Sequence, residues 1–140
     1  MRIVGIDFGE RRIGVAAADD RTRLAIPVTT AEVRGDPIEE LVRIAEEQRA
    51  EELVVGLPLS LTGAEGPQAQ RIREVVAALS ERISIPIRFQ DERLTSAQAD
   101  RVSAPPNRKA KGRAAAAAHR DAVAAAILLQ AYLDSQRPYD

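Results

Sequence analysis

The sequence predicts an α/β protein in which a mixed five-stranded sheet is flanked by helices. Its first third contains apolar runs joined by short polar turns, a pattern typical of antiparallel strands. After residue 36, helical and extended patterns alternate, and this alternation requires parallel crossover connections. The chain has 140 residues and contains no linker or internal repeat, so we expect a single domain over residues 1–140.

Three strands are predicted at the start of the chain. Residues 2–8 and 13–18 are apolar runs separated by a polar turn, as in a hairpin. The third candidate covers residues 24–33 and contains Pro27, which has no N–H to donate to a neighbouring strand. Proline therefore places this third strand at a sheet edge or at a bulge.

Helices and strands are predicted to alternate over the rest of the chain. Asp36 and Pro37 supply an N-cap and a first-turn proline for the first helix. The run Ala114–Ala118 could be a loop or a frayed first turn. The predicted elements are, in order, a helix over 37–50, a strand over 53–57, a helix over 67–82, a strand over 85–89, a short helix over 95–102 and a helix over 120–135.

Composition restricts the kinds of site that the chain can build. It contains no cysteine, which excludes disulfides and thiolate zinc sites, and its single His119 cannot form a histidine-rich metal centre. Any bound metal must therefore be held by oxygen ligands. No leader peptide is evident, and no apolar stretch approaches the roughly 20 residues that span a bilayer. We expect a cytoplasmic protein without membrane contact.

The charge distribution points to one basic segment. The net charge is -1, which argues against nucleic-acid binding through the whole surface, yet residues 101–120 contain six basic residues and no acidic residue. This segment could be a solvated loop or a grip for phosphates. The candidate nucleic-acid-binding residues are Arg108, Lys109, Lys111 and Arg113, with Arg11, Arg12 and Arg93 as weaker candidates.

In sheets with parallel crossover connections, ligand sites lie beyond the carboxyl ends of the strands. Several acidic residues of this chain are predicted to lie there. Asp7 interrupts an apolar strand, which is costly unless the carboxylate is paired, hydrogen-bonded or bound to a cation. Asp91 and Glu92 follow the fifth strand, although either could cap a helix or pair with Arg93. Asp121 is at the start of the predicted last helix, where its negative charge could simply stabilise the helix dipole. If these carboxylates converge, they suit Mg²⁺ or Mn²⁺.

Several sequence blocks closely resemble the YqgF/RuvX family. They span nearly the whole chain and occur in the family's order, so the resemblance is far more specific than one short motif. The blocks are Gly5-Ile-Asp-Phe-Gly, Arg12-Ile-Gly-Val-Ala, Val55-Gly-Leu-Pro-Leu, Gly63-Ala-Glu-Gly-Pro-Gln-Ala-Gln-Arg, Gln90-Asp-Glu-Arg-Leu-Thr and Asp121-Ala-Val-Ala-Ala-Ala-Ile-Leu-Leu-Gln.

The resemblance implies an RNase H-like fold, similar to Holliday junction resolvases of the RuvC type. It also implies a metal-dependent nuclease that processes the 5′ end of precursor 16S rRNA in ribosome biogenesis. The metal-binding catalytic residues would be Asp7, Asp121 and one of the two adjacent acids Asp91 and Glu92. Of these two, we favour Glu92. Two features depart from the family: Ser60 and Thr62 replace frequent Asn and Asp, and the alanine run precedes Asp121.

The sequence is also compatible with other functions. The chain could instead resolve Holliday junctions or other branched DNA. It could be an RNA-binding module that has lost catalytic activity. The presence of acidic residues at all three motif positions argues against such a loss. Nucleotide binding of the sugar-kinase type would also use a motif like Asp7-Phe-Gly, but those proteins close two such domains around ATP. The sequence does not choose between monomer and dimer.

Overall fold

The computed structural model describes residues 1–9, 11–93 and 113–136. Five strands and three helices occur in these residues. In chain order they are β1 (Arg2–Phe8), β2 (Arg12–Asp19), β3 (Ile26–Glu32), α1 (Pro37–Glu47), β4 (Glu52–Leu57), α2 (Pro67–Ser80), β5 (Ile87–Asp91) and α3 (Arg113–Ser135).

The strands form one sheet with the order β3-β2-β1-β4-β5. The first three strands pair antiparallel, whereas β4 is parallel to β1 and β5 is parallel to β4. This arrangement confirms the predicted mixed five-stranded sheet. Pro27 lies in the edge strand β3, and the β2–β3 register shifts between Val15 and Ala16. The third strand therefore lies at the sheet edge and its pairing is irregular, as expected for a strand that contains proline.

The two faces of the sheet carry different helices because side chains alternate along a strand. On one face, α1 and α2 bury their apolar stripes on large side chains of the sheet. On the other face, α3 is the helix among the described residues that packs on the sheet, and it meets mostly small side chains. The first face buries Val4, Ile6, Ile13, Val15, Leu53, Val55 and Leu57 from the strands, and the second buries Ile3, Ala16, Ala18 and Val54.

Glycines bring α3 unusually close to the sheet. A Cβ atom built on Gly14 would lie 2.0 Å from the carbonyl oxygen of Asp121, and one built on Gly5 would lie 2.9 Å from Cβ of Leu129. Such distances are shorter than any side chain tolerates, so the helix backbone rests directly on the strands. The absence of side chains at Gly5 and Gly14 therefore sets the position of Asp121 above β2.

The structure corrects the predicted start of the last helix. This helix begins at Arg113, so the run Ala114–Ala118 is helical, as the propensity of alanine favours. The hydroxyl of Thr30 donates to the carbonyl of Ala118 at 2.5 Å and ties this turn to β3. Asp121 consequently lies two turns inside the helix, and its interpretation as a first-turn dipole partner is wrong.

Other boundaries shift by a few residues. The fifth strand covers Ile87–Asp91 instead of residues 85–89, the third begins at Ile26, and α1 ends at Glu47. The predicted helix over 95–102 lies outside the described residues. Among those residues, no helix is both long and apolar enough to cross a membrane. That residues 1–140 form a single domain stays a prediction.

Candidate active site

Asp7 and Glu92 meet at one end of the sheet, on the face covered by α3. Asp7 is near the end of β1, on the same face as Gly5, and Glu92 follows directly after β5. The amide of Glu92 donates to the carbonyl of Leu57 at 3.2 Å, which extends the β4–β5 pairing by one residue. A Cβ atom at Gly56 would lie 2.5 Å from Oε1 of Glu92. The missing side chain at residue 56 thus makes room for the glutamate.

The two acids form a hydrogen-bonded pair. Burial is the largest cause that raises the pKa of Glu92, which reaches about 8, followed by its hydrogen bond to Asp7 and the charges of Asp7 and Asp91. Burial also raises the pKa of Asp7; its hydrogen bond with Glu92 opposes this rise, and the charge of Asp121 adds to it. Near neutral pH, a protonated Glu92 therefore donates to an ionised Asp7.

Asp121 lies beside this pair but contacts an arginine. Its backbone covers Gly14, the residue directly opposite Asp7 in the β1–β2 ladder. Nε of Arg12 donates to its carboxylate at 2.8 Å, and about one third of each side chain is exposed. Arg12 comes from β2, so contacts between residues far apart in the chain hold the third acid.

A small cavity separates the acid pair from α3. Its volume is about 140 Å³, and it is lined by Asp7 and Glu92 from the sheet and by Ala124, Ile127 and Leu128 from the helix. The helix thus forms an apolar roof over the two carboxyl groups. This apolar roof explains why burial dominates the rise of both pKa values.

Asp91 and Glu92 have different environments although they are adjacent. Asp91 accepts hydrogen bonds from the amide and from Nε of Arg93, both at 2.8 Å. These hydrogen bonds and the guanidinium charge lower the pKa of Asp91. Strand alternation turns Asp91 away from the α3 face, whereas Glu92 points towards it. The structure therefore brings Glu92, and not Asp91, to Asp7.

Arg93 also holds the loop that follows β4, a role that the sequence did not indicate. Its guanidinium donates to the carbonyls of Ser60 and Leu61 at 3.3 and 3.2 Å. Within the loop, the hydroxyls of Ser60 and Thr62 hydrogen-bond each other at 2.8 Å, and Gly63 has a positive φ of 87°. The two residues that depart from the family pattern thus stabilise the loop locally.

The basic residues predicted to bind nucleic acid are placed only in part. Arg12 pairs with Asp121, Arg93 pairs with Asp91, and Arg11 is exposed just before β2. The backbone of Arg113 begins α3. The predictions for Arg108, Lys109 and Lys111 fall outside the described residues.

The acids as they stand do not yet form a complete metal site. Within residues 1–9, 11–93 and 113–136, no three acidic or histidine side chains are arranged to hold an ion together. Two carboxyl groups share a proton, and the third is paired with Arg12. The donors themselves are all oxygen atoms, which fits a hard divalent cation and excludes a thiolate or polyhistidine centre among these three residues.

Relatives of known sequence match nearly the whole chain. A candidate pre-16S rRNA nuclease of Roseiflexus sp. (strain RS-1) is 43% identical over 138 residues, which cover 97% of this chain and 96% of the relative. A protein of the same name from Chloroflexus aurantiacus (strain ATCC 29366 / DSM 635 / J-10-fl) is 41% identical over 137 residues, covering 96% of this chain and 88% of the relative.

Solved structures share the fold at low sequence identity. RuvC of Thermus thermophilus in complex with a Holliday junction substrate aligns with a TM-score of 0.59 and 16% identity, covering 97% of this chain and 96% of RuvC. The fowlpox virus resolvase in complex with Holliday junction DNA aligns with a TM-score of 0.61 and 10% identity, covering 96% of this chain and 98% of the resolvase. These likenesses confirm the RNase H-like fold that the sequence resemblance implied.

A family model described as "RuvX: Holliday junction resolvase" matches residues 1–135. This match and the two relatives above 40% identity confirm the resemblance seen in the sequence blocks. The chain belongs to the RuvX family.

Proposed function

We propose that this protein is a nuclease that hydrolyses phosphodiester bonds with a divalent cation. The observation that carries this proposal is the pair Asp7 and Glu92, two half-buried acids that share a proton at the sheet end, one in β1 and the other directly after β5. A fold gains nothing in stability by burying two acids together, because one must stay neutral. Such pairs occur where function requires them.

Asp7, Glu92 and Asp121 would hold the cation. Their oxygen atoms are the ligands that Mg²⁺ and Mn²⁺ prefer, and either ion would serve. When bound, such an ion activates water for attack on phosphorus and stabilises the leaving oxygen. For this state, Glu92 must lose its proton and Asp121 must leave Arg12. Both changes free a carboxylate charge for the cation: the charge of Glu92 is otherwise neutralised by its proton, and that of Asp121 by Arg12.

The side chains around the acids have supporting roles in this proposal. The roof formed by Ala124, Ile127 and Leu128 excludes bulk water from one side of the pair. Arg12, once released, would be free beside the site to bind a substrate phosphate. The basic segment over residues 101–120 would offset the repulsion between the acids and nucleic acid by contacting phosphates on either side.

The substrate that we favour is precursor 16S rRNA, cut during maturation of its 5′ end in the cytoplasm. The names of the Roseiflexus and Chloroflexus relatives, at 43% and 41% identity over nearly full length, support this choice. The second candidate is a Holliday junction or other branched DNA, which the description of the matching family favours. A non-catalytic RNA-binding module would not need the proton-sharing acid pair. We retain nucleotide binding only as a less favoured alternative.

One cleavage experiment tests the function and separates the two substrates. A precursor 16S rRNA fragment and a synthetic four-way DNA junction are incubated with the protein in Mg²⁺, in Mn²⁺ and in EDTA. We expect the RNA fragment to be cut in at least one of the metals and left intact in EDTA. Preferential cutting of the junction would assign the second substrate. Cleavage in EDTA would contradict metal dependence, and no cleavage of either substrate would contradict the nuclease proposal.

A further inference from the structure

A second cavity lies on the face of the sheet opposite the acid pair. It forms where the end of β1 meets the first turns of α1 and α2, and its volume is about 440 Å³. This volume is within the range of pockets that bind small ligands. Its lining is mostly apolar, from Phe8, Val33, Ile72 and Val75, with the polar side chains of Gln68 and Arg71.

This cavity is close to the acid pair although it opens on the other face. Phe8 lines the cavity and directly follows Asp7 in β1. Consecutive residues of a strand point to opposite faces, with Cα atoms about 3.8 Å apart. A nucleic-acid strand that places a phosphate at Asp7 could therefore pass round the end of β1 and bring a neighbouring nucleotide to Phe8.

The polar part of the lining is suited to a phosphate. Arg71 is exposed and, among the described residues, makes no hydrogen bond or ion pair. Two positions further along α2, Arg73 is bound to Glu65 at 2.6 Å and lies over the ring of Phe89 at 4.8 Å. An unpaired guanidinium next to an apolar cavity complements a ligand that joins a flat apolar ring to an anion, as a nucleotide does.

We propose that this cavity binds one unpaired nucleobase of the strand being cut, with Arg71 on an adjoining phosphate. The inference rests on the proposed nuclease function and adds that the substrate is single-stranded next to the cleavage position. A base inside a duplex is stacked on both sides and cannot enter a pocket without leaving the helix. The cavity would thus select open strands, loops or junction arms with unpaired ends over plain duplex.

Substitution of Gly35 tests the apolar part of the cavity. Gly35 lines it, and a Cβ atom there would meet no atom within 4 Å, so Gly35→Leu adds a bulky apolar side chain at the cavity wall without a clash at its Cβ. The matched control is Ser80→Leu, which adds the same side chain at the exposed end of α2. Binding of a fluorescent single strand and a matched duplex, each as RNA and as DNA, is measured by anisotropy in EDTA.

We expect Gly35→Leu to weaken single-strand binding roughly tenfold, the effect of losing one stacked base, and to leave duplex binding unchanged. Ser80→Leu should change neither. Arg71→Gln should weaken single-strand binding and reduce the slope of log affinity against log salt by about 0.7. Its control is Arg82→Gln, which removes the same charge from a residue paired with Glu39 beyond α2 and should keep the slope.

A folded Gly35→Leu protein that binds single strands as the wild type does would overturn the proposal, as would equal weakening on single strand and duplex. If Gly35→Leu fails to fold, abasic scanning replaces it: wild-type protein is titrated with single strands that lack one base at successive positions. We expect one position to weaken binding, and a flat scan overturns the proposal. Since these measurements need no cleavage, strands that bind in this way but are never cut would refute the nuclease function alone.

Discussion

The two faces of the sheet are built in opposite ways. The face under α1 and α2 carries branched side chains such as Ile6, Ile13 and Val55, which fill space as in an ordinary core. The face under α3 carries glycine at residues 5, 14 and 56, and there the helix backbone and Glu92 occupy the space that side chains would take. On the α3 face, close approach at these glycines therefore replaces bulky side chains of the sheet, and this brings carboxyl groups beneath the helix.

The strongest loss of activity should distinguish two adjacent residues whose side chains lie on opposite faces of the sheet. Glu92→Gln should reduce cleavage at least about a hundredfold, because it removes a charge that the proposed cation needs. Asp91→Asn should retain most of the activity, since its carboxylate is bound to Arg93 and turned away from Asp7. Single-turnover rates of both variants decide this. Loss of activity in Asp91→Asn alone would reverse our assignment of the acids.

The second effect tests how tightly α3 is packed. Gly14→Ala would place its Cβ 2.0 Å from the carbonyl oxygen of Asp121, so the helix must move. We expect a loss of about 3 kcal/mol in the free energy of unfolding, measured by urea denaturation. Gly35→Ala is the matched control, because open space surrounds its Cβ and stability should hardly change. Equal stability of both variants would show that α3 is not packed as closely as described.

A smaller effect concerns pH in the absence of metal. The pKa of Glu92 is about 8 in the folded protein and 4.5 as its ordinary value. A raised pKa in the folded state gives stability that is complete below about pH 4.5 and is lost as pH rises through 8. Glu92→Gln stays neutral, so it should match the wild type at pH 4 and exceed it in stability at pH 9. We expect roughly 2 kcal/mol, or about 6 °C in Tm, which is less than the full pKa difference corresponds to because Glu92 is only half-buried and solvent screens its charge.

The difference in Tm between the wild type and Glu92→Gln is measured by thermal melts in EDTA from pH 4 to pH 9. A second set of melts, with Mg²⁺ at pH 8, tests whether the two proteins also differ in their response to the metal. The cation should raise the Tm of the wild type and have little effect on Glu92→Gln, because a ligand stabilises the folded state more the more tightly it binds, and the variant lacks one of the proposed ligands. A wild-type Tm that rises steadily towards pH 9 without metal would contradict the shared proton.

The smallest expected effect is that of Arg12→Gln. The ion pair with Asp121 is one third exposed, so its loss should cost no more than about 1 kcal/mol of stability. In contrast, Mn²⁺ affinity, measured by calorimetry, should increase because Asp121 no longer has a competing partner. The control is Arg43→Gln, which breaks the exposed ion pairs of α1 with Glu40 and Glu47 and should leave Mn²⁺ affinity unchanged. Unchanged affinity in Arg12→Gln would exclude Asp121 from the metal site.

Part of the candidate site was predictable from local pattern. Asp7 is recognisable because an acid in an apolar strand is costly, and the sequence favours Glu92 over Asp91 as its partner. Alternation along the fifth strand is a further signal for Glu92, because residues 88, 90 and 92 share one face and residue 91 belongs to the other. The sequence pattern offers Asp121 as a third acid that could converge on the strand ends, and the resemblance assigns it the role of a metal ligand. No local pattern relates it directly to residues 7 and 92.

Hydrophobic period, turn residues and motif blocks are local properties of the chain, and they sufficed to predict the order of the described elements, the mixed sheet and the family. Long-range packing was needed to establish that α3 begins at Arg113, that Arg12 holds Asp121 and that Glu92 shares a proton with Asp7. These facts depend on contacts between residues as far as 109 positions apart. Local pattern shows which face a side chain occupies, and only packing shows what it meets there.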